Sequence, residues 1–317
     1  IIKRDVVNTL LRPKNWNWDD NFEYSYDLKT NTFTADFSLD SYRLTPARVY
    51  NIGLGEEYET IEEALTHLTA NGISPAEFNI KAGRYYTPYL NLTNNVDFNI
   101  VCDDGIAIIT NNYLESGNIV SFINEGDDTY TTDIAIPNAT TVWDKSVLDE
   151  NGCYKKMTKV LSLATCKTTP NSYYINTGVV SVHLFDNRIV TTDDIAIYTS
   201  DYMLRPNAQK KFYFKNIQNE GAYTFLAIAR SLMNLYFENC QFRYSTVSHR
   251  LTVTACQEVL LKNCKAYYNM RDGFNYHGTT TSPNVIEFQC ECSSNGWDGG
   301  TSHNGSTAHE DIQIIRY

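Results

Sequence analysis

Apolar and polar positions alternate in one short row that returns four times between Lys211 and Tyr317. The rows are Phe212-Tyr213-Phe214-Lys215-Asn216, Leu235-Tyr236-Phe237-Glu238-Asn239, Val259-Leu260-Leu261-Lys262-Asn263 and Val285-Ile286-Glu287-Phe288-Gln289. Their closing amides are 23, 24 and 26 positions apart, and Cys240, Cys264 and Cys290 follow the last three. A repeat of this length cannot bury its apolar positions alone and must stack on its neighbours. The rows are aromatic and β-branched, broken by Asn, Gly, Asp and Ser, and no helical period runs through them. Their length suits three short strands and three turns, one coil of a parallel β-helix. Stacking about 4.8 Å apart would turn Asn216, Asn239, Asn263 and Gln289 into an amide ladder inside a turn, with the cysteines as an adjacent apolar column of free thiols.

Upstream, the pattern divides the chain further. Residues 1–50 carry Trp16 and Trp18 in an Asn/Asp-rich stretch and alternate over Thr32–Ser38; they read as an arm or neck, or as a cap folded back along the stack. Within 51–105, Thr60-Ile61-Glu62-Glu63 is a capping box, Ile61, Ala64, Leu65 and Leu68 share one helical face, and Asn71-Gly72 ends the helix. This helix is expected to seal the open end of the solenoid. Residues 106–210 lack the later spacing and read as irregular coils with insertions or as a small β-subdomain. The regular coils occupy 211–317.

Gly53-Leu54-Gly55-Glu56-Glu57-Tyr58-Glu59-Thr60-Ile61, followed by Phe78-Asn79-Ile80-Lys81-Ala82-Gly83-Arg84-Tyr85, resembles the opening segment of the pectin lyase-like superfamily, pectinesterases in particular. The resemblance implies an all-β fold, a right-handed parallel β-helix with one N-terminal capping α-helix, and carbohydrate-like ligands. The paired Asp, Gln and Arg of pectinesterases have no counterpart here, so it implies fold rather than that activity.

Composition narrows the class. The net charge of -11 argues against nucleic acid as a partner, although a local groove can defy the total. No apolar run reaches membrane length, and the eight cysteines show no zinc-ligand spacing. No cofactor or metal is expected; lyases of this fold class often use calcium, but no acidic cluster argues for it. The chain begins with Ile and stops within the opening strand of a further coil, so the natural polypeptide is expected to continue past Tyr317, or another chain to cover that end.

Candidate chemistry gathers near the end. Laid over each other at a spacing of 26, Asp272-Gly273-Phe274-Asn275-Tyr276-His277 pairs with Asp298-Gly299-Gly300-Thr301-Ser302-His303. Asp272 with Asp298 would offer two carboxylates roughly 5 to 9 Å apart, the range glycosidases use, and His277 with His303 a stacked pair. Asp-Gly is equally what a repeated turn needs. For a lyase, His249, Arg250 and His277 are the base candidates, and His309 with Glu310 is a further one. Alternation turns Phe274 and Tyr276 inward and Asn275 and His277 outward. Trp297 could offer a face to a sugar ring, and Asn275 and Tyr276 complete the substrate-contact candidates.

Three function classes remain. Asp-Gly-x-x-x-His followed by Asn304-Gly305-Ser306-Thr307-Ala308-His309-Glu310 looks like stretches of phage and prophage β-helix proteins. That resemblance implies a tailspike-like depolymerase on a virion tail: a homotrimer, attached through its N-terminal arm, cutting a bacterial capsule, O-chain or wall glycan as hydrolase or lyase. The others are an extracellular bacterial polysaccharide lyase, hydrolase or epimerase, and a non-enzymatic carbohydrate-binding adhesin.

Overall fold

The computed structural model describes residues 2–3, 23–27, 32–36, 39–87, 90–92, 96–199, 202–206, 210–221, 223–227, 233–246, 251–254, 256–278, 283–297, 304–310 and 312–316. Three parallel sheets form a β-solenoid. The first has eight strands: Arg48–Ile52, Ala76–Ile80, Phe98–Val101, Lys211–Lys215, Asn234–Glu238, Glu258–Lys262, Asn284–Phe288 and Gln313–Arg316. The second runs from Gly83–Tyr86 through Ala107–Thr110, Ile217–Glu220, Gln241–Arg243 and Lys265–Tyr267 to Glu291–Ser293. The third runs from Leu90–Leu92 through Tyr202–Pro206, Tyr223–Ala227, Leu251–Thr254 and Phe274–His277 to Ser306–Ala308.

The four sequence rows are strands of the first sheet, paired in the register their spacing predicts: Phe214 with Phe237, Phe237 with Leu261, Leu261 with Glu287. Their alternate residues fill one continuous core. At Glu287 that inner column turns polar. Its buried carboxylate accepts from the Tyr276 hydroxyl at 2.9 Å and from Arg316 Nε at 3.1 Å, and Ser306 also donates to it. A charge this deep persists only with such partners.

The corner between the first and second sheets carries the amide ladder. Asn239 Nδ2 donates to Asn216 Oδ1 at 3.1 Å, and Asn263 Nδ2 to Asn239 Oδ1 at 3.2 Å. Asn216, Asn239, Asn263 and Gln289 are all left-handed, φ 50–58°, a conformation Asn tolerates better than other side chains. That is why an amide returns at the turn of each coil, where Asn216 and Asn263 are half-buried and Asn239 is exposed. Cys240, Cys264 and Cys290 pack beneath it as free thiols. Burial, with the flanking Cys240 and Cys290 thiols, pushes the Cys264 thiol well above its ordinary value.

Helix α1 (Ile61–Asn71) closes the N-terminal end. Its Thr60–Glu63 capping box is formed, Gly72 is left-handed at φ 59°, and Ile61, Ala64 and Leu68 enter the core. Within the N-terminal stretch, Ile2–Lys3, Glu23–Asp27 and Thr32–Asp36 form a small antiparallel sheet. Residues 39–47 run back along the first sheet, where Arg43 binds Glu77 and Asp103 and Tyr42 packs on Tyr236.

Between Ala107–Thr110 and Tyr202–Pro206 the chain leaves the stack and returns without loss of register. Residues 111–199 build an almost wholly antiparallel body of five- and three-stranded sheets, including a short helix α2 (Leu163–Thr168). Its core is its own: Ile136, Val142, Val180, Val182, Leu184 and Ile197. The neck is tied where it opens. Asn111 Nδ2 donates to the Thr199 carbonyl at 3.0 Å, and Asn112 Oδ1 accepts from the Ile197 amide at 2.8 Å. Gly221, at φ +87°, abuts this neck, and a Cβ there would lie 1.8 Å from Asn111 Oδ1.

Candidate functional site: an imidazole pair and a walled cleft

The inserted body is clamped onto the corner between the second and third sheets. At that corner Tyr244 and Tyr268 are left-handed, at φ 63° and 52°, which costs a bulky residue about 1–2 kcal/mol each. The backbone turn aims both rings out of the stack. Tyr244 Oη accepts from the Tyr154 amide at 2.7 Å, and Tyr268 donates to Asp149 Oδ2 at 2.7 Å. Trp143, buried at the interface, meets Tyr244, Tyr268 and Trp297 at ring separations of 4.8, 5.7 and 6.4 Å. One indole thus engages an aromatic from each of three successive coils.

Beside this clamp lies a cleft of about 530 Å³. One wall belongs to the inserted body (Thr140, Lys156, Lys159, Tyr173 among others), the opposite wall to Thr246, Met270 and Trp297 of the three corner loops. Trp297 Nε1 donates to the Tyr268 carbonyl at 3.0 Å, while Lys156 Nζ sits 4.8 Å from the Trp297 ring centroid and donates to its carbonyl at 3.0 Å. Among the described residues the lining holds no carboxylate and no imidazole. Of the sequence candidates, Trp297 lines it. Asp298, His303, His249 and Arg250 lie outside the described residues.

The second cluster sits at the far end of Phe274–His277. The overlay at a spacing of 26 is corrected here. Phe274 pairs with Ser306, Asn275 with Thr307 and Tyr276 with Ala308, a step of 32, so His309 and not His303 continues the His277 column. The second sheet keeps the step of 26, Lys265 pairing with Glu291. The six extra residues therefore fall in the loop after Ser293, whose length the core does not fix. The His277 and His309 rings stack at 4.2 Å, 1° from parallel. Asn275 Nδ2 meets His277 Nε2 at 2.9 Å, and Glu310 Oε2 lies 3.7 Å from His277 Nδ1 while accepting from the Gly278 amide at 2.9 Å. With Nε2 as acceptor, His277 presents its Nδ1 proton to Glu310. The nitrogens of the His309 ring have no hydrogen-bond partner among the described residues.

Other candidates have structural places. Asp272 is buried, and its carboxylate accepts from the Asn304 amide at 2.6 Å, a strut between coils where the tight packing around Gly273 and Gly305 leaves little room. Tyr276 points into the core with its hydroxyl on Glu287, so the inward direction predicted by alternation stands and a direct substrate contact by Tyr276 does not. Asn275 faces outward yet is fully covered, and its Oδ1 has no partner. Among the described residues no group of three or more His, Cys, Asp or Glu could hold a metal ion. Sequence reasoning missed Lys156, Lys159, Trp143 and the two corner tyrosines. Only Tyr244 and Tyr268 left a signal, their separation of 24 matching the repeat.

The fold and these sites define a class: a parallel β-solenoid interrupted by an antiparallel body that walls a cleft. No family model, curated protein or solved structure matches the chain.

Proposed function

We propose that the protein binds and depolymerises a bacterial surface polysaccharide in the manner of phage tailspikes, the glycan lying along the third sheet from the cleft toward the imidazole pair. The observation that carries this reading is the cleft itself, in which Trp297 is held by three hydrogen-bonded or ring contacts and which Met270 connects, through three intervening positions, to the strand bearing His277. Aromatic faces and aligned polar groups are what sugar rings bind. The stacked parallel sheets are compatible with a pectin lyase-like β-helix, the superfamily the opening segment resembles. His309, with its ring set parallel to a His277 oriented by Asn275 and Glu310, is the group best placed to move a proton. Trimeric assembly and attachment through the N-terminal segment belong to the same proposal and are checked by the mass of the protein in solution.

A second reading, a glycan-binding module without catalysis, is favoured by the lack of carboxylate and imidazole in the described lining of the cleft. One experiment separates the two. Capsules, O-chains and wall glycans are incubated with the protein and with its His309→Ala and Trp297→Ala variants, following reducing ends and the ultraviolet absorbance of unsaturated uronates. Reducing ends alone mean hydrolysis, and both signals mean elimination; either must fall in the His309→Ala variant. Retained binding with no release from any polymer would leave the binding module, and neither binding nor release would end both readings.

A further inference from the structure

We infer that Asn275 is a positioning residue whose side-chain amide turns over with the proton of His277: Nδ2 faces the ring when His277 is neutral, and Oδ1 faces it when His277 is charged. Its use in the reaction rests on the imidazole pair being the centre that moves a proton. Asn275 stands on the outer face of its strand and is nevertheless fully buried. Its Nδ2 meets His277 Nε2 at 2.9 Å, whereas its Oδ1 has no partner. A buried acceptor without a donor is costly, and its persistence calls for a role.

The neighbouring strands show what borders the amide. Thr252 and Thr307 are the register partners of Asn275 to either side, and their hydroxyl oxygens are likewise buried and unpartnered. A hydroxyl donates or accepts as required, while each end of an amide does only one of the two. Two ambivalent groups therefore flank a residue whose ends can be exchanged. The ring supplies the reason for exchange. Neutral, with its proton on Nδ1 and Glu310 Oε2 3.7 Å away, His277 offers Nε2 as an acceptor, and Nδ2 is the matching donor. A second proton, taken from solvent onto Nε2, would set donor against donor. A half-turn about the Cβ–Cγ bond brings Oδ1 to the new N–H and sends Nδ2 toward the threonine hydroxyls, which then accept. The charged ring is left between Oδ1 and the Glu310 carboxylate, and in both states it keeps its place against His309 at 4.2 Å. The titratable groups described against the ring are His309 and Glu310, and its register partner on the preceding strand is Thr254.

The test is nuclear magnetic resonance on the isotope-labelled full chain. The ring nitrogens of His277 and the side-chain amide of Asn275 are followed between about pH 8.5 and about pH 5, to either side of the ordinary imidazole value. The His277 signals are identified by their loss in His277→Gln. At the alkaline end Nδ1 should carry the proton and Nε2 be bare. At the acid end both should be protonated, and the Asn275 amide signals should shift along the same titration curve as the ring. Glu310→Ala, at an exposed position, should leave the alkaline tautomer as it is, and Asn275→Leu should abolish the preference for Nδ1. A proton on Nε2 at the alkaline end, a ring that never takes the second proton, or an Asn275 amide unmoved while the ring becomes charged overturns the inference. So does loss of the Nδ1 tautomer in Glu310→Ala, which would hand control to Glu310. These readings come from the parent and Glu310→Ala, so they decide even where the buried Asn275→Leu variant does not fold. The reading beneath is tested apart: glycan release undiminished in His309→Ala removes the proton-moving role of the pair whatever the tautomer of His277. A failed tautomer test with release lost in His309→Ala leaves that role in place.

Discussion

The coils of the stack are held by contacts that recur, the inserted body by contacts that occur once. Along the first sheet Phe214, Phe237 and Leu261 occupy one inner column and Asn216, Asn239 and Asn263 one corner ladder, so each coil repeats the interaction of the coil below. The body of residues 111–199 is fixed instead by a set of different contacts, among them one indole, two tyrosine hydroxyls, the Arg84–Glu115 and Arg243–Gly152 ties and the Asn111–Thr199 neck. Recurrent contacts make a frame whose register survives an excursion of about ninety residues. Unique contacts place one wall of a cleft against that frame. The difference teaches where function is to be sought: at the corner where the repeat is broken, rather than on the faces where it is kept.

The largest expected effect separates the two cores. Phe237→Ala removes a ring that stacks on Phe214 at 4.9 Å and meets Phe242 at 5.8 Å, and should cost about 3–5 kcal/mol. Leu184→Ala, in the core of the inserted body, should cost about 2–5 kcal/mol but be felt mainly there. Denaturant unfolding followed by hydrogen exchange in both regions checks this. If Leu184→Ala lowered protection in the stack as much as in the body, the two would be one cooperative unit and the contrast would fail. Next comes the neck. Gly221→Ala sets a methyl against Asn111 and Tyr198, and should cost about 2 kcal/mol or more, read as a lowered melting temperature with faster exchange near Asn111 and Thr199. An unchanged melting temperature would mean the neck yields freely.

A smaller effect sharpens the account of the ladder. Asn239→Ala forces a Cβ-bearing residue without an amide into the left-handed region and breaks two ladder hydrogen bonds, for about 1–2 kcal/mol. Asn239→Gly breaks the same bonds and removes the strain, so it should cost clearly less. Equal losses would show that the amide chain, not the backbone conformation, keeps asparagine at this corner.

Legibility followed the same division. The strand rows, the helix α1 caps and the thiol column could be read because their physics repeats or is local: an inward position recurs at each coil, and Thr60 finds Glu63 three residues on. The His277 column could not be read beyond one coil, because the overlay assumed a constant coil length and the loop after Ser293 is six residues longer. Corner loops carry no core register, so their length leaves no periodic trace. The inserted body gave little for a related reason. Its strands pair antiparallel within one short segment, and Trp143, the residue that docks it, has no counterpart elsewhere in the chain to reveal its partner. Lys156 and Lys159 looked like ordinary surface lysines, and only the opposing wall makes them part of a site.

The smallest expected effect tests the clamp through pH. Burial would raise the Asp149 carboxyl, but the Tyr268 hydroxyl, the Cys153 and Asn151 amides and the nearby Arg243 outweigh it and hold the group below its ordinary value. A carboxylate whose folded value is depressed stabilises fully above its unfolded value, near about 3.9, and loses that contribution as the pH falls through the folded value. The clamp should therefore be at full strength at neutral pH and loosen only below about pH 4. Asp149 is half-buried, so the contribution is partly screened and about 1 kcal/mol or less. Limited proteolysis between pH 6 and pH 3 should release the inserted body more readily at the acid end, and the comparison with Asp149→Asn isolates this group from the other carboxylates. The variant should open more readily than the parent at pH 6, and the difference should shrink toward the acid end. Tyr268→Phe, which removes the donor while keeping the ring on Trp143, should reproduce the pH 6 difference. If both variants matched the parent at every pH, the Asp149–Tyr268 bond would add nothing to the other contacts between body and stack, and the left-handed strain at Tyr268 would serve only to place its ring.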